Sequence, residues 1–413
     1  MYSSPLFMNQ NFAKKLQLNI WKITISRILF KFMLIGAIYI LYFQFLGFSF
    51  NEIGLFEAVT SLAIVVTDLP SGVLADSFSR KWTVFSANGF WLLMVLLLGF
   101  SSGGIVIIIL AGLLNGLEFS FKSGAETALL YDTLKELNRE EEYLKISGRI
   151  NAFSLLSTLV GLVLGAYLFQ INPRLPYWIF AIFIGLSLIF VLGVQDPIKP
   201  TRKHSLKEHV NDMGDSVRFI FNNKLLLWLT LFFLIADVFA ESYWDVYSQA
   251  HLETAGLDPA TLGVVFACLT LINAIFSYFV ADIEKQLGER RSLYLLILVQ
   301  GLLFFFMASF SSWIVLILLL VILTTNREYA WLLGENYSNK QIPSATRASV
   351  LSARSFLRNG LFGGAIIIWM FGVSLDLFGG RTTLTMSGFG VLLLGLFLIQ
   401  MRYRKITNNV KCA

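Results

Sequence analysis

A series of apolar runs, each about 20 residues long, constrains this chain more than any other feature. A run of that length lets one helix cross the hydrocarbon core of a bilayer. Apolar residues fill 56% of the 413 positions, whereas Asp, Glu, Lys and Arg fill only 14%. A typical soluble domain has about 25% charged residues. The sequence therefore predicts an all-α integral membrane protein and excludes a disordered or nucleic-acid-binding chain.

The apolar runs fall into two sets of six, which predicts twelve transmembrane helices in two pseudo-symmetric six-helix bundles. The runs cover roughly 25–48, 53–75, 82–101, 104–131, 147–171 and 176–194, then 225–250, 260–281, 293–309, 312–336, 348–373 and 381–401. The predicted segments are, in order, an N-terminal amphipathic segment (1–24), the first bundle (25–194), a polar connection (195–223), the second bundle (224–401) and a tail (402–413).

The basic residues predict the orientation, because short cytoplasmic loops collect Lys and Arg. With the N-terminus inside, the outer connections hold only Arg174 and Arg381, and the inner connections hold the other loop Lys and Arg residues. We therefore expect both termini in the cytoplasm and a multi-pass chain in the cell (inner) membrane.

Two polar segments show apolar residues at helical spacing. In the N-terminal segment these residues are Phe12, Leu16, Ile20 and Ile23, and in the connection they are Leu206, Val210, Met213, Val217 and Phe221. The second stripe predicts an interfacial helix between the bundles. The first stripe fits either a helix on an anionic leaflet or a frayed basic tail.

The loops of the two halves repeat. Residues 72–81 lie between predicted helices 2 and 3, and Gly288, Arg290 and Arg291 lie at the equivalent place between helices 8 and 9. Two six-helix halves related by a parallel repeat are a known transporter plan, with the substrate cavity between them.

The loop at 72–81 carries a motif of the form Gly-x-x-x-Asp-basic-x-Gly-basic-basic. The chain matches it at Gly72, Asp76, Arg80 and Lys81, and departs from it at two serines, Ser77 and Ser79. On these residues the chain resembles the major facilitator superfamily of secondary transporters. The resemblance implies alternating access, with predicted helices 1, 4, 7 and 10 lining the cavity.

Two further segments, 123–132 and 342–352, resemble a bacterial branch of the superfamily that contains many exporters. Predicted helix 5 has Gly161 and Gly165 but lacks the Gly-Pro signature of the drug/proton antiporters in the superfamily. The resemblance therefore implies a transporter more strongly than a drug exporter.

Predicted helix 7 carries three acids on one face, Asp237, Glu241 and Asp245, at i, i+4 and i+8. An ionisable residue inside a span costs roughly 2.5–3.5 kcal/mol to insert, so it usually faces a cavity or a partner. Because like charges repel in a low dielectric, one of these carboxyls could hold an exchangeable proton. The alternative is that Asp245 is a solvated helix end and that fixed cations neutralise the other two.

Predicted helix 4 carries Glu118, Lys122 and Glu126 at the same spacing but with alternating sign, so the three could neutralise one another. Charged residues on two other predicted cavity helices are Arg27 and Lys31 in helix 1 and Arg327 in helix 10. A cavity with both signs suits a zwitterionic or polar organic substrate better than a simple hydrophobic cation.

Asp68, Gly72 and Asp76 share one face at the end of predicted helix 2, and Arg354 and Arg358 share one face near the start of helix 11. Their depths predict ion pairs that form when the inner side of the transporter is closed, and that act as a latch. A purely structural salt bridge is the alternative.

Further gating residues follow from the same topology. Arg149 and Asp282 are the expected symmetric counterpart of the latch, and Arg80 and Lys81 lie at its edge.

An enzyme is a poor interpretation of this sequence. The three histidines (His204, His209 and His251) lie outside the middle of any span, and no Walker-type Gly-rich loop is present. We expect no cofactor or metal, and we expect a monomer. The sequence favours a secondary transporter of a small organic solute, with proton-coupled efflux ahead of proton-coupled import of a polar metabolite. A membrane receptor or scaffold is the rival class.

Overall fold

The computed structural model describes residues 10–77, 79–122, 124–197, 206–343 and 346–411, and its regular structure in these residues is helical. The first half contains α1 (Gln10–Phe30), α2 (Tyr39–Phe45), α3 (Phe50–Ser77), α4 (Arg80–Phe100), α5 (Ile105–Lys122), α6 (Ala125–Glu136), α7 (Tyr143–Ile171) and α8 (Leu175–Leu192). The remainder contains α9 (Leu206–Asn222), α10 (Lys224–Val246), α11 (Ser248–Thr254), α12 (Pro259–Ser309), α13 (Trp313–Asn339), α14 (Arg347–Phe356), a π-helical turn (Leu357–Leu361) and α15 (Gly364–Lys411).

Nine helices among the described residues are long and apolar enough to cross a membrane. Two of them, α12 with 51 residues and α15 with 48, exceed by far the length that one crossing needs. Each bends at a glycine with positive φ, Gly288 (72°) and Gly379 (75°), a conformation open to glycine at no steric cost. Both bends fall in predicted connections between apolar runs, and the total of twelve crossings stays a prediction.

The first predicted helix, 25–48, is wrong as a continuous element. The chain leaves the helical conformation after α1 and regains it only in α2. Irregular backbone at membrane depth requires hydrogen-bond partners inside the protein. Thr158 of α7 donates to the carbonyl of Lys31 (2.9 Å), and Gln249 of α11 donates to the carbonyl of Gly36 (3.1 Å). Neighbouring helices therefore supply bonds that the broken helix lacks.

Two glycines of α7 let it approach this irregular segment. A Cβ at Gly161 would lie 2.7 Å from the backbone nitrogen of Met33, and a Cβ at Gly165 would collide with the backbone of Leu34. Small residues at such contacts allow close backbone packing in membranes.

The predicted N-terminal segment is part of the first bundle. The boundary expected between residues 24 and 25 lies inside α1, and Leu16 and Asn19 are fully buried. The Asn19 amide donates to the carbonyl of Gln195 (2.7 Å) and accepts from its N–H (2.8 Å). Residues 10–23 are therefore neither a frayed tail nor a helix resting free on the lipid surface.

The predicted interfacial helix forms as α9, and two members of the expected stripe, Met213 and Val217, pack in its buried cluster, whereas Phe221 does not. Met213 and Ile220 are buried against α14, whereas Phe221 is 45% exposed. The side chains of Leu206 and Val210 lie outside the described residues.

The two halves meet mainly along two pairs of helices, α3 against α15 and α7 against α12. One continuous apolar cluster runs through both halves, from Leu34 to Ile399. Any cavity between the halves is therefore bordered by packed helices of both halves.

Candidate functional site

Two acids of α10 form a partly buried quartet with two arginines. Arg327 of α13 binds Asp237 (2.9 Å) and lies 3.7 Å from Glu241. Arg358 of the π-helical turn binds Asp237 (2.6 Å) and Glu241 (3.0 Å). The quartet contains two charges of each sign, which is the arrangement of fixed cationic partners left open by the sequence.

Asp245, one turn further along α10, has a different environment. Its carboxylate accepts a hydrogen bond from the hydroxyl of Tyr39 (3.3 Å), and the same hydroxyl donates to its backbone carbonyl (2.8 Å). Within the described residues no Lys or Arg lies within ion-pair distance of it. Asp245 is partly buried, so it is not the solvated helix end that the sequence left open.

Asp245 lines a cavity of about 310 Å³ between the two halves. The lining comprises aromatic side chains, two carboxyls, one amide and aliphatic groups: Met33, Ile35, Gly36, Tyr39, Phe43, Phe56, Glu57, Trp91, Met94, Leu98, Asn115, Tyr177, Trp244 and Asp245. Trp244 and Asp245 come from the second half and the others from the first. The cavity therefore spans the interface that alternating access would open and close.

Glu57 of α3 is the second carboxyl of this cavity, and the sequence analysis missed it. Asp245 exerts the strongest charge effect on Glu57, followed by Glu241. No ion pair to Glu57 forms among the described residues. Glu57 lies inside the apolar run 53–75. The argument from the cost of inserting an ionisable residue, which singled out the other acids, therefore applies to Glu57 as well.

Two polar groups that line the cavity are buried without a partner. The indole N–H of Trp91 and the hydroxyl of Tyr177 form no hydrogen bond within the part of the chain that the structure describes. A buried donor without an acceptor is costly, and in native proteins such a group calls for an explanation.

The two predicted acids of helix 4 are each paired with a basic residue of the same half. Lys122 lies 3.9 Å from Glu118, donates to Asn88 (3.1 Å) and packs on the ring of Phe30. The expected single face that also holds Glu126 is wrong, because α5 ends at Lys122 and α6 begins after Gly124, whose φ is 75°.

Glu126 instead faces helix α1. Arg27 lies 3.6 Å from its carboxylate. Lys31 lies just beyond the end of α1 and acts electrostatically on both Glu118 and Lys122. The predicted charges of helices 1 and 4 therefore do come together, as local pairs.

The two arginines of the predicted latch bind other acids in this conformation. Arg354 binds Glu335 of α13 (3.0 Å), and Arg358 belongs to the quartet. Asp68 accepts a hydrogen bond from Ser352, close to the depth predicted for it. The side chain of Asp76 lies outside the described residues, as do the surroundings of Gly72.

Two other predicted gating residues, Arg80 and Lys81, have their contacts within their own half among the described residues. Arg80 binds Asp132 of α6, within its own half, and Lys81 lies over the ring of Trp82 (5.4 Å).

The expected symmetric counterpart, Arg149 with Asp282, does not form an ion pair in this conformation, and both residues are exposed.

Hydrogen bonds between the halves gather at one end of the molecule among the described residues. Asp376 of α15 accepts the backbone N–H groups of Phe50 (3.1 Å) and Asn51 (2.8 Å) at the start of α3. Trp369 donates to the side chain of Asn51 (2.7 Å), and the link between Tyr39 and Asp245 lies near the same end. Asp68 with Ser352 is the exception toward the opposite end.

Comparison with known proteins identifies the family. A sequence model of the Major Facilitator Superfamily matches residues 21–366. The chain belongs to the major facilitator superfamily. The resemblance inferred from the loop motif is thereby confirmed, and membership of this family points to an integral membrane protein rather than an enzyme.

Two relatives in the superfamily align over part of their length. The MFS-type transporter YxaM of Bacillus subtilis (strain 168) is 25% identical over 267 residues, which cover 63% of this chain and 65% of YxaM. The class B tetracycline resistance protein of Escherichia coli is 24% identical over 250 residues, covering 59% of this chain and 60% of that protein. Both alignments reach less than two thirds of the relative.

Solved transporters share the fold over nearly the whole chain. The nucleoside transporter NupG has a TM-score of 0.76 at 15% identity, covering 94% of this chain and 98% of its own. A bacterial homologue of the human lysosomal transporter Spinster, inward-facing and unoccupied, has a TM-score of 0.70 at 13% identity, covering 93% and 96%. At these identities the likeness shows the fold alone.

Proposed function

We propose that this transporter exports a small organic solute from the cytoplasm in exchange for protons, by alternating access. It works as a monomer in the cell membrane, with both termini in the cytoplasm. The observation that carries the proposal is the pair of carboxyls, Glu57 and Asp245, that share one cavity between the halves without an ion-paired cation.

The contacts between the halves support the alternating-access part. In the predicted orientation, the end joined by Asp376 and Asn51 is the outer end. The conformation is then inward-facing, and the outer contacts must break for the cavity to reach the outside. The hydrogen bond from Tyr39 to Asp245 crosses this interface, so the state of the carboxyl and the closure of the outer end are linked.

The carboxyl pair supports the proton-coupling part. Two acids in a partly dry cavity cannot both ionise without strong repulsion, so the pair favours holding a proton. The quartet is less suited to this role, because protonating Asp237 or Glu241 would leave Arg327 or Arg358 buried with an uncompensated charge. Of the acid stripe predicted in the sequence, Asp245 is therefore the member that we assign to the proton.

Export is supported by a relative named for tetracycline resistance, since extrusion of a drug confers resistance. The second candidate, proton-coupled import of a polar metabolite, is favoured by the mixed charges of the first half, Arg27, Glu118, Lys122 and Glu126.

Everted membrane vesicles with an acid interior test the proposal. We expect the vesicles to accumulate at least one probe from a panel of organic cations, nucleosides and amino acids. The accumulation should stop when the pH gradient is collapsed. Glu57→Gln and Asp245→Asn should abolish this accumulation, whereas the exposed Glu253→Gln should retain it. Accumulation in right-side-out vesicles with an acid exterior would establish import instead, and transport that ignores the gradient would refute proton coupling.

A further inference from the structure

The charge of the cavity differs from that of its surroundings. Its lining contains two carboxyls and no Lys or Arg. The charged groups that act on Asp245 from neighbouring elements are Arg327 of α13, and Glu241 and Asp237 of α10. Because Arg327 is already bonded within a quartet that carries equal charges of both signs, the surroundings do not neutralise Glu57 and Asp245. The cavity therefore favours a positive ligand.

The walls of the cavity are aromatic on both sides of the interface. The rings are those of Tyr39, Phe43, Phe56, Trp91, Tyr177 and Trp244. Aromatic faces attract cations, and Trp does so most strongly. They also attract flat rings by stacking. A ligand with a cationic group and an aromatic ring would meet matching chemistry at both of its ends.

The size of the cavity adds a third requirement. The volume of about 310 Å³ equals roughly ten water molecules, which limits the ligand to a small molecule.

We propose that the cavity binds a small aromatic monocation, and that this cation and a proton compete for the Glu57 and Asp245 carboxyls. The inference rests on the proposed function and names its substrate class. It replaces the zwitterion expected from the sequence, because the basic residues behind that expectation are paired outside this lining. On binding, the cation displaces the proton from the carboxyl pair to water, which is the exchange that an antiporter requires.

Calorimetric titration of the full chain in nanodiscs tests the substrate class with three probes of matched shape: phenyltrimethylammonium, neutral 2-phenyl-2-propanol and anionic benzenesulfonate. We expect the cation to bind at least about tenfold more tightly than the neutral probe, and the anion not to bind. The affinity for the cation should fall about tenfold per pH unit as the carboxyls become protonated, with one proton released for each cation bound. Equal affinity for the cation and the neutral probe, or tighter binding of the anion, would overturn the proposal.

Variants locate the binding. Glu57→Gln and Asp245→Asn should each weaken the cation at least about tenfold and flatten its pH dependence, while the affinity for the neutral probe stays unchanged and shows that the site is folded. The matched control Glu253→Gln should bind as the parent does. Cation binding that persists unchanged in both cavity variants would contradict this site.

The outcomes separate this inference from the proposed function. Cation binding with proton release, but without transport in vesicles, would leave the site standing and refute the exporter. Gradient-driven transport of another solute, without cation binding, would refute the cation site and leave the exporter standing.

Discussion

Two carboxyls of the same helix, Asp237 and Asp245, have opposite environments although they lie on one face of α10. Asp237 is held by Arg327 (2.9 Å) and Arg358 (2.6 Å). Within the described residues, the carboxylate of Asp245 bonds to the hydroxyl of Tyr39 alone, and it faces the cavity with Glu57. The arginines therefore keep the Asp237 carboxylate ionised, whereas the Asp245 carboxylate can gain or lose a proton.

The role of an acid inside a span therefore depends on its ionic partners more than on its position in the span. A quartet with two charges of each sign stabilises the packing of α10, α13 and the π-helical turn. A carboxyl pair in a cavity is costly when fully ionised, so it binds whatever cation or proton reaches it. A mutation in the quartet should therefore change the stability of the protein much more than a mutation in the carboxyl pair.

The largest expected effect is on stability in the quartet. Arg358→Ala should destabilise the folded protein by about 3–5 kcal/mol, because removing one member of a buried ion network strands the opposite charge. Thermal unfolding in detergent measures this loss, with the exposed Arg347→Ala as the matched control. A neutral double variant, Arg358→Gln with Asp237→Asn, should recover part of the stability. A melting temperature for Arg358→Ala equal to that of the control would show that the quartet does not stabilise the fold.

The second prediction concerns the latch between Asp68 and Arg354, expected when the inner side closes. Asp68→Asn should raise labelling of inner-side cysteines roughly tenfold, because one hydrogen bond to a charged group contributes about 1.5–3 kcal/mol. Accessibility to a maleimide from the cytoplasmic side measures it in a background lacking Cys268 and Cys412. Exchanging the two residues should restore part of the closed population, and labelling at the parent level in Asp68→Asn would argue that there is no latch.

The third prediction concerns the closed end. Tyr39→Phe removes the hydrogen bond that joins the halves through Asp245, which is worth about 0.5–1.5 kcal/mol. The outward-open population should therefore rise about two- to tenfold. An impermeant maleimide, added outside to cells carrying Phe43→Cys in the same cysteine-free background, measures the change. Labelling that stays at the parent level would dissociate this bond from the closure.

The smallest expected effect is on stability in the carboxyl pair. Glu57→Gln should change the free energy of unfolding by less than about 1 kcal/mol, because Glu57 lacks an ion pair within the described residues. The unfolding assay used for the quartet measures it. A loss as large as that of Arg358→Ala would mean that the two regions do not differ in kind.

Much of the fold follows from apolar runs, as the fit of α3 (Phe50–Ser77) to the run 53–75 illustrates. Runs do not reveal where a helix breaks when other helices supply the missing hydrogen bonds. The break after α1 depends on Thr158 and Gln249, which are distant in sequence. Composition alone could not locate it.

Periodicity predicted which acids share a face of α10 but misplaced the arginines. Arg354 and Arg358 were expected on one helical face, but Arg358 lies in a π-helical turn (Leu357–Leu361), which changes the residue spacing per turn. Arg354 therefore binds Glu335 of α13, while Arg358 reaches α10. Glu57 was identifiable from its place in an apolar run, but its pairing with Asp245 depends on the approach of two halves, which no local pattern contains.

If Glu57 and Asp245 exchange a proton for the cation, transport of the cation should produce a measurable proton flux across the membrane. Proteoliposomes containing an interior pH dye and no pH gradient should show a proton flux when phenyltrimethylammonium is added outside, with protons moving opposite to the cation. The flux should be absent in Glu57→Gln and in Asp245→Asn, and unchanged in Glu253→Gln. A flux of parent size in both cavity variants would contradict the assignment of the proton to Glu57 and Asp245.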